Sequence, residues 1–182
     1  MIKRSFLAAS AGALIATAAV LTFAGPAPAQ VFGGHNSNAP VNFDAGRIEV
    51  QDRADRVVLS GAVRVEQGGL VLNSARMTVA YRNTGGIEVD RIDASGGVTI
   101  RKGGDTASGN VAIYDLNRRL ITLVGGVTLT QGTNRLSGGR VIIDLTSGRS
   151  TIDGRAAGGS ASGTQNSGGR VSGTFTVPQR TD

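Results

Sequence analysis

From Val41 to Ile152 apolar and polar residues alternate with a period of two. Such alternation sends successive side chains to opposite faces of an extended chain, so it predicts β-strands with one buried face. Ile48-Glu49-Val50, Val57-Val58-Leu59, Val63-Arg64-Val65 and Leu70-Val71-Leu72 read as strands of about 3–6 residues. Ile87-Glu88-Val89, Arg91-Ile92-Asp93, Val98 to Ile100, Val111 to Leu116, Leu120 to Val124, Val127 to Thr130 and Val141 to Leu145 follow. Turn signals separate nearly all of them, among them Gln67-Gly68-Gly69, Asn83-Thr84-Gly85-Gly86, Lys102-Gly103-Gly104-Asp105 and Thr146-Ser147-Gly148. No window beyond the N-terminal region carries a helical stripe with caps. The expectation is an all-β protein.

One strand-and-turn phrase occurs three times. Ser60-Gly61-Ala62-Val63-Arg64-Val65-Glu66-Gln67-Gly68 returns as Ser95-Gly96-Gly97-Val98-Thr99-Ile100-Arg101-Lys102-Gly103, then as Val124-Gly125-Gly126-Val127-Thr128-Leu129-Thr130-Gln131-Gly132. The steps between copies are 35 and 29 residues, a spacing typical of stacked supersecondary units. Nine residues past each Val stand Leu72, Ala107 or Leu136, and a second alternating strand follows. Alternation places Leu59, Val63, Val65, Leu72, Val98, Ile100, Val127 and Leu129 on the inner face, with Arg64 and Glu66 outside. In the second strands Met77, Val79 and Tyr81 align with Ala112, Tyr114 and Leu116, and with Val141, Ile143 and Leu145. Glycine pairs at 96–97 and 125–126 precede the inward Val, where they permit a bulge that curls a sheet. The pattern predicts a sandwich or half-open barrel with an aliphatic interior, a scaffold with a continuous groove more than a pocket enzyme.

The ends differ from the middle. Lys3 and Arg4, the apolar stretch Phe6 to Phe23, and Ala27-Pro28-Ala29 form the pattern of a secretory signal peptide over 1–29, cleaved before Gln30. An uncleaved membrane anchor is the competing reading. Residues 30–41 read as a polar, flexible lead. The segment from Arg155 to Gly169 is too poor in apolar residues to order itself and reads as linker, part of a Gly/Ser-rich tail over 155–182. Val171 to Val177 alternates again, either as a last strand or as a free tail.

Composition narrows the chemistry. The absence of cysteine removes disulfides and thiolate metal sites. The single histidine, His35, reads as solvent-exposed and without a role, and it excludes Ser–His–Asp or Cys–His catalysis nearly outright. Asp90 with Asp93, or Asp144 with Asp153, would be the only carboxylate pairs to consider, yet Asp90, Asp144 and Asp153 sit at strand ends or turns, where Asp serves local hydrogen bonds. No helix follows any glycine-rich turn, so none is a phosphate cradle. No catalytic group, cofactor or metal site is expected. Removing Lys3 and Arg4 lowers the net charge from +6 to +4, a mildly basic surface suited to anionic lipid headgroups or polysaccharide. Nucleic acid is not an expected partner, for no aromatic stacking set is present.

Leu59-Ser60-Gly61-Ala62-Val63-Arg64-Val65-Glu66-Gln67-Gly68 with Leu70-Val71-Leu72, the opening Asn42-Phe43-Asp44-Ala45-Gly46-Arg47-Ile48-Glu49 and the third copy's Gly126 to Gly132 together resemble the OstA-like domain of the LptA family. The resemblance spans roughly Val41 to Gly154, within a domain placed at 42–154. It departs from the family pattern at Arg101-Lys102-Gly103, where Gln-Gly is usual, and at Ala107. It implies a twisted β-jellyroll of stacked antiparallel strands, open at both ends, in the periplasm of a Gram-negative cell. It further implies that the apolar interior holds the lipid A acyl chains of lipopolysaccharide, through the inward residues named above with Tyr114. Protomers would join edge to edge as a head-to-tail homo-oligomer, with Ile48 and Val50 on one edge and Ile152 on the other. Such a bridge would run from an inner-membrane LptC-like protein to an outer-membrane LptD-like translocon. A membrane-anchored LptC-like relative and a structural β-repeat polymer without lipid cargo are the alternatives.

Overall fold

The computed structural model describes residues 31–154 and 169–176; the expected signal peptide and most of the Gly/Ser-rich tail lie outside the described residues. Ten antiparallel strands follow one another: β1 (Asn42–Asp44), β2 (Arg47–Gln51), β3 (Arg56–Gln67), β4 (Leu70–Asn83), β5 (Ile87–Lys102), β6 (Asp105–Asp115), β7 (Leu120–Gln131), β8 (Asn134–Asp144), β9 (Ser150–Asp153) and β10 (Ser172–Thr174). Each strand from β3 to β8 pairs with the next, which is the arrangement that short turns between long strands enforce. β1 and β2 share the free side of β3, while β9 and β10 share the free side of β8. The sheet is therefore not closed into a barrel. The strand expected at 171–177 is three residues long and docks on this chain's own β8, Ser172 opposite Ser137 and Thr174 opposite Arg135.

The central strands are longer than the alternation predicted. β3 to β8 run 11 to 16 residues, because the glycine pairs that resemble strand boundaries are bulges inside continuous ladders. Register slips by one residue between Ser60 and Val63, Ser95 and Val98, and Val124 and Val127. At each slip two consecutive residues take the left-handed conformation: Gly61 and Ala62, Gly96 and Gly97, Gly125 and Gly126, with φ from 50° to 85°. Left-handed backbone costs an L-residue roughly 1–2 kcal/mol and glycine almost nothing, which is why the repeat keeps Gly there. Pairing resumes beyond the kink, so the strand bends without ending.

Both edges break at the same level. β1 and β2 are parted at Ala45-Gly46, where the Gly46 N–H donates to the Gly61 carbonyl at 2.8 Å. On the other side β10 covers Arg135–Ser137 and β9 covers Arg140–Ile143, leaving Gly138-Gly139 between them. A belt of kinks thus crosses the whole sheet and folds it over on itself. The inward residues of both halves meet in one core, with Leu59, Ile92, Ile100, Ala112, Leu123 and Ile143 at most 1 % exposed. The Tyr114 hydroxyl donates to Gln67 Oε1 at 2.6 Å across that interior, although β6 and β3 are not neighbours in the sheet. The result is the expected β-jellyroll, its ladder open at two edges.

A Cβ added at Gly96 would lie 2.7 Å from the Cβ of Ala75, whereas one added at Gly97 would meet nothing within 4 Å. Gly97→Ala should cost about 1–2 kcal/mol, the left-handed penalty alone. Gly96→Ala carries that penalty plus the clash and should lower the urea midpoint further. Equal losses in the two variants would show that the belt has room to spread.

Candidate functional site

The fold leaves one side of the sandwich without a ladder across it, the side where the turn ends of both halves face each other. Residues 31–41, expected as a flexible lead, pack along this opening instead. Phe32 is 1 % exposed and Val31 5 %, both part of the core. The physical reason is that Val31 and Phe32, with Val41 at the far end, are the large apolar groups of an otherwise polar segment, and the opening offers them apolar walls.

The strap is fastened in large part from one position of the repeat, the residue four beyond the inward Val, through Gln67 and Lys102. The Gln67 amide donates to the carbonyls of Ser37 and Ala39 at 2.9 and 3.0 Å. Lys102 Nζ donates to the carbonyl of Gly33 at 2.5 Å and reaches that of Phe32 at 3.5 Å. The lysine that breaks the family pattern thus holds the strap as the glutamine does. The Phe32 N–H donates to Asp105 Oδ2 at 3.0 Å, and Arg119 reaches Asn38 Oδ1 at 3.3 Å from the opposite lip. Among the described residues the only backbone–backbone bond of residues 31–39 is internal, Ala39 N–H to the Asn36 carbonyl.

His35 is half-buried within the strap, in contrast to the exposed position expected for it. Its Nε2 lies 3.3 Å from the Tyr114 hydroxyl. That hydroxyl spends its one proton on Gln67, so it must accept from His35, and Nε2 carries the imidazole proton. Nδ1 is then a bare acceptor, and it is buried without a partner. Burial depresses the His35 pKa, helped by the nearby Lys102 charge and opposed by hydrogen bonding of the imidazole to Gln67. Burial also pushes the Tyr114 phenol up to about 12.

Beside Val31 lies an apolar cavity of about 550 Å³. Val31, Leu129, Leu136, Ile152, Val171 and Phe175 are its apolar lining, and Gln131, Asn134, Ser147 and Arg149 its polar lining. Arg149 is in no ion pair among the described residues. The turn that presents it is fixed by Asp144, whose Oδ1 accepts the N–H groups of Thr146 and Ser147 at 2.8 and 3.2 Å. The Ser147 hydroxyl and these amides hold the Asp144 carboxyl below its usual range.

All thirteen residues assigned to the interior, Leu59, Val63, Val65, Leu72, Met77, Val79, Val98, Ile100, Tyr114, Val127, Leu129, Val141 and Ile143, are buried at 3 % exposure or less. They are brought together as one core, but only Leu129 also lines the cavity. Of the edge residues, Ile48 and Val50 are exposed on β2, whereas Ile152 on β9 is half-buried and forms a cavity wall. Val31, Leu136, Val171 and Phe175 were not among the sequence candidates. Leu136 could have been found from its alignment with Leu72, which the repeat makes explicit.

The four carboxylates considered as acid–base candidates are engaged locally. Asp90 accepts from Arg82 and Asn117, Asp93 from Arg91, and Asp153 from Arg140. No two of them meet as an acid–base pair, and among the described residues no three His, Asp or Glu groups are placed to hold a metal ion. Arg47–Glu49, Arg64–Glu66 and Arg82–Glu88 complete a set of exposed ion pairs on the outer face, each worth little on its own.

Residues 42–149 match the family described as LptA/(LptD N-terminal domain) LPS transport protein. A curated relative, an uncharacterised protein of Rhizobium meliloti (strain 1021), is 29 % identical over 94 residues, 48 % of this chain and 50 % of the relative. The chain thus spans about half the length of that relative. Among solved structures, LptH, described as the LptA-homologous periplasmic component of the lipopolysaccharide transport device of Pseudomonas aeruginosa, superposes with a TM-score of 0.67. The match covers 78 % of this chain and 98 % of that one at 17 % identity, so it speaks for the fold.

Two outcomes are expected of the polar bridge. Tyr114→Phe leaves Gln67 Oε1 buried without its donor and should cost about 1–3 kcal/mol in a denaturant melt. For His35 the depressed pKa means that the unfolded chain binds more protons as pH falls, so stability should drop from about pH 6.5 downward, the ordinary histidine value, until the folded pKa is passed. His35→Gln should flatten that stretch of a stability–pH profile; an unchanged slope would place the dependence elsewhere.

Proposed function

The chain belongs to the LptA/LptD N-terminal-domain family of lipopolysaccharide transport proteins, and we propose that it carries lipopolysaccharide across the periplasm by holding acyl chains in its open-sided interior. The observation that supports this most directly is the cavity walled by Leu129, Leu136, Ile152, Val171 and Phe175 beside the strap, in which the exposed Val171 and Phe175 face the more buried Leu129. Each methylene removed from water is worth about 0.8 kcal/mol, so seating some ten of them offers about 8 kcal/mol before ordering costs. Asn134 and Arg149 add polar groups to the same lining, where the polar end of such a molecule could be met. The match to this family supports transport over catalysis.

In this reading the protein is exported by a cleaved signal peptide and works as a bridge. The edges formed by β1–β2 and β9–β10 serve protomer joining by strand addition, with Ile48 and Val50 as the exposed apolar contacts of one edge. Its neighbours are an LptC-like protein at the inner membrane and an LptD-like protein at the outer membrane. The dense packing around Val63, Val98 and Ile143, each 2 % exposed or less, favours a limited acyl intake at the open side over a lipid-filled centre. Were no lipid taken up at all, that same packing would support the structural-polymer reading.

A photocrosslinker at Leu136 or Phe175 should yield a lipopolysaccharide adduct, while Arg64 and Thr78 on the outer face should yield none. Leu136→Trp, which fills the cavity, should weaken lipid capture at Phe175 about tenfold, the effect of roughly 1.4 kcal/mol. Equal adducts from inner and outer positions, or none anywhere from a folded protein, would remove the basis for a lipid carrier.

A further inference from the structure

The strap and the cavity occupy one opening. Val31 belongs to both, as part of the core beneath the strap and as a wall of the cavity beyond it. Along this opening the repeat presents the same position three times, at Gln67, Lys102 and Gln131. Gln67 and Lys102 hold the backbone of residues 32–39, and Gln131 is part of the cavity lining. Below the strap lie apolar residues that the interior shares throughout. Phe32, 1 % exposed among them, is a flat apolar group set where a ligand's tail would continue from the cavity.

The means of attachment differs from that of the sheet. β3 to β8 are held by ladders of backbone hydrogen bonds, which no ligand could replace. The strap is held by side chains reaching its carbonyls, and by burial of Val31 and Phe32. A buried amide such as Gln67 can turn to water or to a ligand's polar groups, and an acyl chain can replace the phenyl ring at similar apolar area. Two left-handed residues, Phe32 at φ 56° and Gly34 at φ 64°, flank Gly33, so the bound conformation is also strained at Phe32.

Resting on the lipid-carrier reading above, we infer that residues 31–39 are a displaceable strap over a second apolar subsite. A single-tailed amphiphile fits the cavity beyond Val31 and leaves the strap in place. A multi-tailed one takes the cavity and then the slot beneath Phe32, lifting the strap from Gln67 and Lys102. The strap keeps the slot covered until cargo with enough chains arrives, and it restricts full loading to lipids of the lipid A class.

The absence of cysteine from the chain allows a single nitroxide label on Asn36→Cys, at an exposed strap position. Purified lipid A and dodecyl phosphate are added separately to the full exported chain. Retention of each is measured as lipid phosphorus co-eluting on gel filtration, and label mobility by electron paramagnetic resonance. Both lipids should be retained, and only lipid A should narrow the label's lines to those of a mobile segment. Lys102→Met, which removes the Nζ bonds to Phe32 and Gly33, should raise lipid A retention at limiting lipid several-fold. Retention of lipid A with an immobile label would overturn the strap inference and leave the carrier reading standing. Mobilisation by dodecyl phosphate would overturn the two-subsite division. Failure to retain either lipid would overturn the carrier reading and the inference with it.

Discussion

Everything in this fold depends on a belt of left-handed backbone. An 11- to 16-residue strand with an unbroken pleat would extend a flat, twisted sheet with one apolar face in water. Placing two residues of positive φ at mid-length in β3, β5 and β7 bends all the strands at one level while the ladders continue on both sides. The two halves then cover each other's apolar faces, and the chain needs neither a second sheet nor helices to do so. The same bend sets the inner parity. In β4 the buried positions run Leu70, Leu72 and Ser74, then switch to Met77 and Val79 beyond the kink.

A sheet folded this way has an unclosed side, and the protein treats that side as a place of side-chain chemistry. Gln67 is the centre of it: its amide is satisfied by two strap carbonyls and by Tyr114, with His35 behind the phenol. A buried amide with all partners in place fixes geometry, and with one missing it becomes a liability. His35, with Nδ1 lacking a partner, is the least satisfied member of the network and the one whose charge state ordinary pH can change.

Much of this was legible in the sequence, for reasons that can be traced to particular residues. Thirteen interior positions follow from period-two alternation because β-strand side chains alternate rigidly, and the repeat fixes their phase three times over. Gly96-Gly97 and Gly125-Gly126 announced a bend. Whether a bend also ends a strand depends on what lies opposite, and Ala75 and Gly109, which let the ladder close up again, carry no signal of their own. The cavity was not legible, because its walls come from Val31, Leu136, Ile152 and Phe175, which are joined only by the folding-over of the sheet. His35 misled for the same reason: a polar segment seems free until the surface that receives it is known.

The broken edges have a consequence for the company this protein can keep. A flat, continuous edge will accept almost any extended peptide, and that promiscuity is the root of fibrous aggregation. Here each edge is two short steps, three and five residues in β1 and β2, four and three in β9 and β10, set at an angle to one another. A stray straight strand finds only a few consecutive groups to grip before the rail turns away. A guest able to follow the whole rail must turn at the same point, so the kink narrows the set of segments that can add along the full edge.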